Sequence, residues 1–142
     1  MIIYPNLLLS CRPNHLHELI HALFIPLYPN ASPLFHEGIA TYYGGSSQKN
    51  YKEQFELLKK YLQENPNTDL ADFNSYNELI NDQTNPFYTV GALLIEQALK
   101  TGGAEKALEL FQYSSTDEAF ENVFNVTSSE IHQYIKNLIL SK

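Results

Sequence analysis

The chain has 142 residues, 44% of them hydrophobic, with nine Lys and Arg against sixteen Asp and Glu and a formal net charge of −7. That length and apolar content suit one domain, residues 1–142, able to bury a core of its own. A single arginine, Arg12, and the lack of any lysine cluster argue against nucleic acid or an anionic membrane surface as partner, and no apolar run approaches the length of a membrane span.

At the amino end, Met1-Ile2-Ile3-Tyr4 and Leu7-Leu8-Leu9-Ser10 can supply one or two short strands at most. Leu8-Leu9-Ser10-Cys11 resembles a bacterial lipoprotein processing site, but the stretch before it lacks a positive charge and is broken by Pro5 and Asn6. The simpler reading of Cys11, the one cysteine, is a small buried or partly buried thiol. Residues Asn14 to Leu23 are expected to form a helix, and Phe24 to Ala31, punctuated by Pro26 and Pro29, a connection. Ser32 as N-cap, Pro33 at the first helical position and Gly44 after the last turn predict a short second helix.

Beyond it the pattern is helical almost throughout. Lys49 to Glu64 places Tyr51, Phe55, Leu58 and Leu62 on one face, and Asn65-Pro66-Asn67 ends the run. Asp69 to Asp82 suggests one or two short helices broken near Asn74-Ser75. Asn85-Pro86 opens an apolar helix that Gly102-Gly103 closes, and Ala104 to Tyr113 predicts another. Ser115 to Glu118 and Thr127 to Glu130 both have the form of a capping box, the second leading into a final helix, Glu130 to Leu140. The expected fold is mainly α, six or so helices with at most a trace of strand.

One stretch names a chemistry. His17-Glu18-Leu19-Ile20-His21 is the HExxH arrangement of zinc peptidases. Residues four apart share a helix face, so His17 and His21 can aim imidazole nitrogens at one ion. Glu18, about 100° round the helix, reaches the open side and there can take the proton of an attacking water. A catalytic zinc site usually has three protein ligands, so one must come from elsewhere. The metzincin continuation would place a glycine and a histidine where Phe24 and Leu27 stand, which removes that branch.

HExxH followed after a turn by Glu37-Gly38-Ile39-Ala40-Thr41-Tyr42-Tyr43 resembles the gluzincin zinc metallopeptidases, in particular the peptidase MA-like group and its aminopeptidase relatives. The resemblance implies a zincin-like helical domain hydrolysing a peptide or protein substrate with Zn²⁺ as cofactor. It makes Glu37 the third metal ligand beside His17 and His21, and Glu18 the general base. His36 is the rival ligand, but adjacent helical residues diverge by about 100°, so it is expected as a solvated or neighbouring group rather than a ligand. Tyr88 in Tyr88-Thr89-Val90-Gly91 is similar to the family's Tyr-x-x-Gly tyrosine, which hydrogen-bonds the oxyanion of the tetrahedral intermediate; Tyr42 and Tyr43 are further candidates.

The chain departs from the family in two ways. Leu34 stands where an aromatic often precedes the glutamate, and only thirteen residues precede Asn14, where gluzincins carry a sheet whose edge strand pairs with substrate. The chain therefore resembles the carboxyl part of a gluzincin catalytic domain. Two alternatives follow: a catalytically silent metal-binding helical module of a larger protein or assembly, and a metal-free helical interaction domain.

Overall fold

The computed structural model describes residues 13–73 and 85–142. The proposed amino-terminal strands, Cys11 and most of the proposed helical stretch 69–82 lie outside the described residues. Within them the chain is mainly helical, with six α-helices: α1 (Pro13–Leu27), α2 (Pro33–Gly44), α3 (Tyr51–Glu64), α4 (Pro86–Glu109), α5 (Thr116–Ala119) and α6 (Ile131–Leu140). No strand occurs among the described residues, only an isolated antiparallel bridge between Ser46 and Lys49.

Local chemistry accounts for most boundaries. Ser32 caps α2 through its hydroxyl, which accepts from Leu34 N–H at 3.4 Å, and Pro33 takes the first helical position, where no N–H is needed. Asn50 and Glu53 close a reciprocal capping box, so α3 starts at Tyr51 and not at Lys49. Thr127 and Glu130 form the second predicted box, while Ser115 makes a one-sided cap on Glu118 N–H.

Two expectations need correction. The first helix does not stop at Leu23 but runs to Leu27 through Pro26. The proline removes one backbone donor near the end of the helix, where Tyr28 N–H still reaches the Phe24 carbonyl at 2.9 Å and keeps the pattern going. The expected helix 104–113 is helical only to Glu109, followed by a 3₁₀ turn over Leu110–Gln112. It is separated from the preceding helix by Gly103, whose φ of 71° breaks the geometry as the Gly-Gly pair predicts. Of the stretch 69–82, the described residues, 69–73, form turns.

The middle layer of the fold is α2, with α1 against one side and α4 packed most extensively against the other. Leu34, Phe35, Ile39 and Ala40 of α2 are buried with Val90, Leu93, Leu94 and Ile95 of α4. Each such large side chain removed from water contributes about 1.5–3 kcal/mol. Ile131, Ile135 and Ile139 of α6 bury one stripe of that helix in the same core, at the spacing of an amphipathic helix.

Glycines set how closely the layers approach. A Cβ on Gly38 would lie 2.4 Å from the Gly91 carbonyl carbon, so α2 and α4 touch backbone to backbone. A Cβ on Gly44 would lie 2.4 Å from the His17 nitrogen, so the end of α2 rests on the turn of α1 that carries the histidines. Among the described residues no helix is long and apolar enough to cross a membrane.

Candidate metal centre

The two close approaches bring three side chains together. His17 and His21 sit one turn apart on α1, their rings edge to face with centroids 4.7 Å apart. Glu37 reaches across from the first half of α2, and its Oε2 lies 3.2 Å from Nε2 of each histidine, which are themselves 3.1 Å apart. His17 is buried, and the other two are partly so.

One further contact fixes which nitrogen faces the cluster. Nδ1 of His17 lies 2.7 Å from the Gly45 carbonyl oxygen, which can only accept. In the neutral imidazole Nδ1 therefore carries the proton, and Nε2 presents a lone pair to the cluster. Gly45 ends α2 with a φ of 71°, and its N–H bonds the Thr41 carbonyl at 2.8 Å. A Cβ there would meet the Lys49 carbonyl oxygen at 2.2 Å, so both conformation and space call for glycine.

The triad can hold a metal ion. The three donor atoms, 3.1, 3.2 and 3.2 Å apart, lie about 1.8 Å from the centre of their triangle, a spacing compatible with the bonds of about 2.0–2.2 Å that zinc makes to imidazole and carboxylate. The donor set, two imidazoles and one carboxylate, suits zinc and other first-row divalent ions.

The charges of the cluster are coupled. Burial opposes a charge on His17, but the hydrogen bonds to Glu37 and to the Gly45 carbonyl, with the field of Glu37 and Glu18, outweigh it and raise the pKa above 6.5. Burial likewise opposes charge on Glu37, and its hydrogen bond to His17 and the nearby imidazoles overcome this and lower its pKa below 4.5. With a proton on Nε2 as well, His17 pairs with Glu37 as an ion pair, the atoms 3.2 Å apart.

The triad opens into a cleft of about 310 Å³, lined by His17, Glu18, His21, Glu37, Gly45, Ser46, Ser47 and Tyr88. Glu18 is exposed on this cleft, beside the triad and outside it. The Tyr88 ring stacks on His17 with centroids 5.9 Å apart and planes 27° from parallel. Burial first, then the charges of Glu37 and Glu18, raise its pKa above 10, so the phenol keeps its proton and remains a donor. Tyr88 owes its place to Gly91, one turn later on α4, where that helix touches α2.

Other candidates fall elsewhere. His36 is not solvated: it is buried, its Nε2 donates to the Tyr28 carbonyl at 2.9 Å, and its ring packs edge-on against Phe111. Its helix position turns it away from Glu37 and into the seam joining α1 to Leu110–Gln112. Tyr42 and Tyr43 pack on each other, Tyr42 also against Tyr51, and neither lines the cleft. The Gly45 carbonyl and the wall of Ser46 and Ser47 escaped the sequence reading, although the Gly44-Gly45 pair marks where the chain turns back toward α1. Compared with known proteins, the chain matches no family model, no curated protein and no solved structure.

Proposed function

We propose that this chain is a zinc-dependent metallopeptidase that hydrolyses peptide bonds in the cleft beside His17, His21 and Glu37. The observation that carries the reading is the meeting of those three side chains within 3.2 Å of one another, with Glu18 and Tyr88 on the same cleft. His17, His21 and Glu37 would hold Zn²⁺, which in such a site polarises the scissile carbonyl and makes water acidic enough to be deprotonated near neutral pH. Glu18 takes that proton as general base and passes it to the leaving amine. Tyr88, kept protonated by its surroundings, donates a hydrogen bond to the oxyanion of the tetrahedral intermediate. The Gly45 carbonyl holds His17 in the tautomer that ligation requires.

A second reading is a metal-binding helical module without hydrolytic activity. It is favoured by one observation: among the described residues no strand borders the cleft to pair with an extended substrate. One experiment separates the two. Zinc content and peptidase activity are measured on the purified chain and on Glu18→Gln. Stoichiometric zinc in both, with hydrolysis by the parent chain only, is the enzyme's result. Zinc in both with no hydrolysis by either is the module's, and no zinc on added metal removes both readings.

A further inference from the structure

We propose that Gln54, on α3, is a positioning residue of the metal centre, acting on His17 through the Ser46–Lys49 turn and the Gly45 carbonyl. The proposal rests on the metal-site reading above and adds to it a residue outside the cleft lining.

Gln54 is fully buried, and a buried amide is retained only where its polar atoms are bonded. Its Nε2 donates to the Ser46 carbonyl at 2.7 Å. Ser46 and Lys49 exchange both backbone hydrogen bonds, each 2.9 Å, and so close a two-residue turn. The two residues inside it, Ser47 and Gln48, have φ of 51° and 62°. This is left-handed backbone that Asn-Gly pairs adopt readily and that Ser and Gln disfavour. Their own preferences therefore pull the turn open, and anchoring from outside must hold it. Gln54 supplies such an anchor from a rigid helix.

What the turn holds is the acceptor for His17. Gly45 immediately precedes Ser46, lies against the Lys49 carbonyl closely enough to exclude a Cβ, and accepts from His17 Nδ1 at 2.7 Å. Displacing Ser46 or Lys49 displaces that carbonyl. Without it the imidazole loses both its orientation and the bond that fixes its proton on Nδ1. A continuous path of hydrogen bonds and close contact thus joins a buried amide on α3 to a ligand on α1. A strained turn on the cleft wall is its middle link.

The test compares the parent chain with Gln54→Met, which keeps bulk and removes the donor, and with Gln54→Met combined with Gln48→Gly, which relieves left-handed strain. Two quantities are read: Zn²⁺ affinity by competition with a chromophoric chelator, and the His17 tautomer in the metal-free chain by ¹⁵N NMR of the ring nitrogens, at a pH high enough for the imidazole to be neutral. The expected result is an affinity about 10-fold weaker in Gln54→Met, within the range that outer-shell partners command. The Nδ1–H form should give way to a mixture, and both should recover largely in the double variant. An unchanged tautomer in Gln54→Met overturns the proposal, whether or not the affinity falls. Where Gln54→Met does not fold, Gln54→Asn, which draws the amide back by one methylene, takes its place with the same expectations. A parent chain that binds no zinc refutes the metal reading, while the tautomer arm still decides whether Gln54 orders His17.

Discussion

Gly38 and Gly91 meet where α2 crosses α4, and neither tolerates a side chain: a Cβ on Gly38 would lie 2.4 Å from Gly91, and one on Gly91 would lie 2.3 Å from the Leu34 carbonyl oxygen. This contact fixes α4 against the helix that bears Glu37 and so seats Tyr88 over His17. Gly91→Ala forces the two backbones apart and should cost about 1–3 kcal/mol, the range for overpacking a filled interior. Glu105→Ala, exposed on the same helix, is the control. Its cost should stay below about 1 kcal/mol. Denaturant midpoints of the two variants check the contrast.

His36 and Glu37 are adjacent in sequence and opposite in consequence. His36→Ala removes the bond to the Tyr28 carbonyl and the packing on Phe111 and should cost about 2 kcal/mol. It should leave zinc stoichiometry unchanged. Glu37→Ala should abolish stoichiometric zinc at micromolar metal. Thermal melts with and without zinc measure both: the metal should raise the melting temperature of the parent chain and of His36→Ala, and leave that of Glu37→Ala where it was.

Much of this was legible in the chain. The 3.6-residue periodicity and the caps at Ser32, Asn85 and Thr127 are short-range signals, and they locate the starts of α2, α4 and α6 to within a residue or two. His17 and His21 share a helix face by spacing alone. That Glu37 and not His36 meets them depends on how α2 is rotated, which the buried face of Leu34, Phe35 and Ile39 decides. The fate of Pro26 was illegible because one missing N–H near a helix end costs little when the next bond survives. Gly45, Ser46 and Gln54 were illegible for a different reason: their roles run through backbone carbonyls, which every residue carries, so no side-chain pattern marks them.

Tyr88→Phe deletes the hydroxyl and keeps the ring that stacks on His17. On the proposed mechanism kcat should fall about 100-fold, as for loss of one oxyanion donor, with KM changed little and zinc affinity unchanged. A rise in KM with kcat unchanged would assign Tyr88 to substrate binding and remove it from the chemistry.

The ion pair of the metal-free chain has a pH signature. His17 is raised above 6.5, so its contribution is fully present below 6.5 and is lost as pH rises through the folded value. Glu37 is lowered below 4.5, so its contribution is present above 4.5 and is lost as pH falls through the folded value. Together they stabilise most between about pH 4.5 and 6.5. Urea unfolding with chelator present should show a stability difference between the parent chain and Glu37→Gln that is largest in that window and shrinks on either side.

If two imidazoles from α1 and one carboxylate from α2 share a single divalent ion, anomalous diffraction at the zinc absorption edge from zinc-loaded crystals should show one full-occupancy peak per chain, about 2.0–2.2 Å from Nε2 of His17, Nε2 of His21 and a carboxylate oxygen of Glu37. Crystals with no peak among these three side chains, or with zinc bound only elsewhere on the chain, would contradict it.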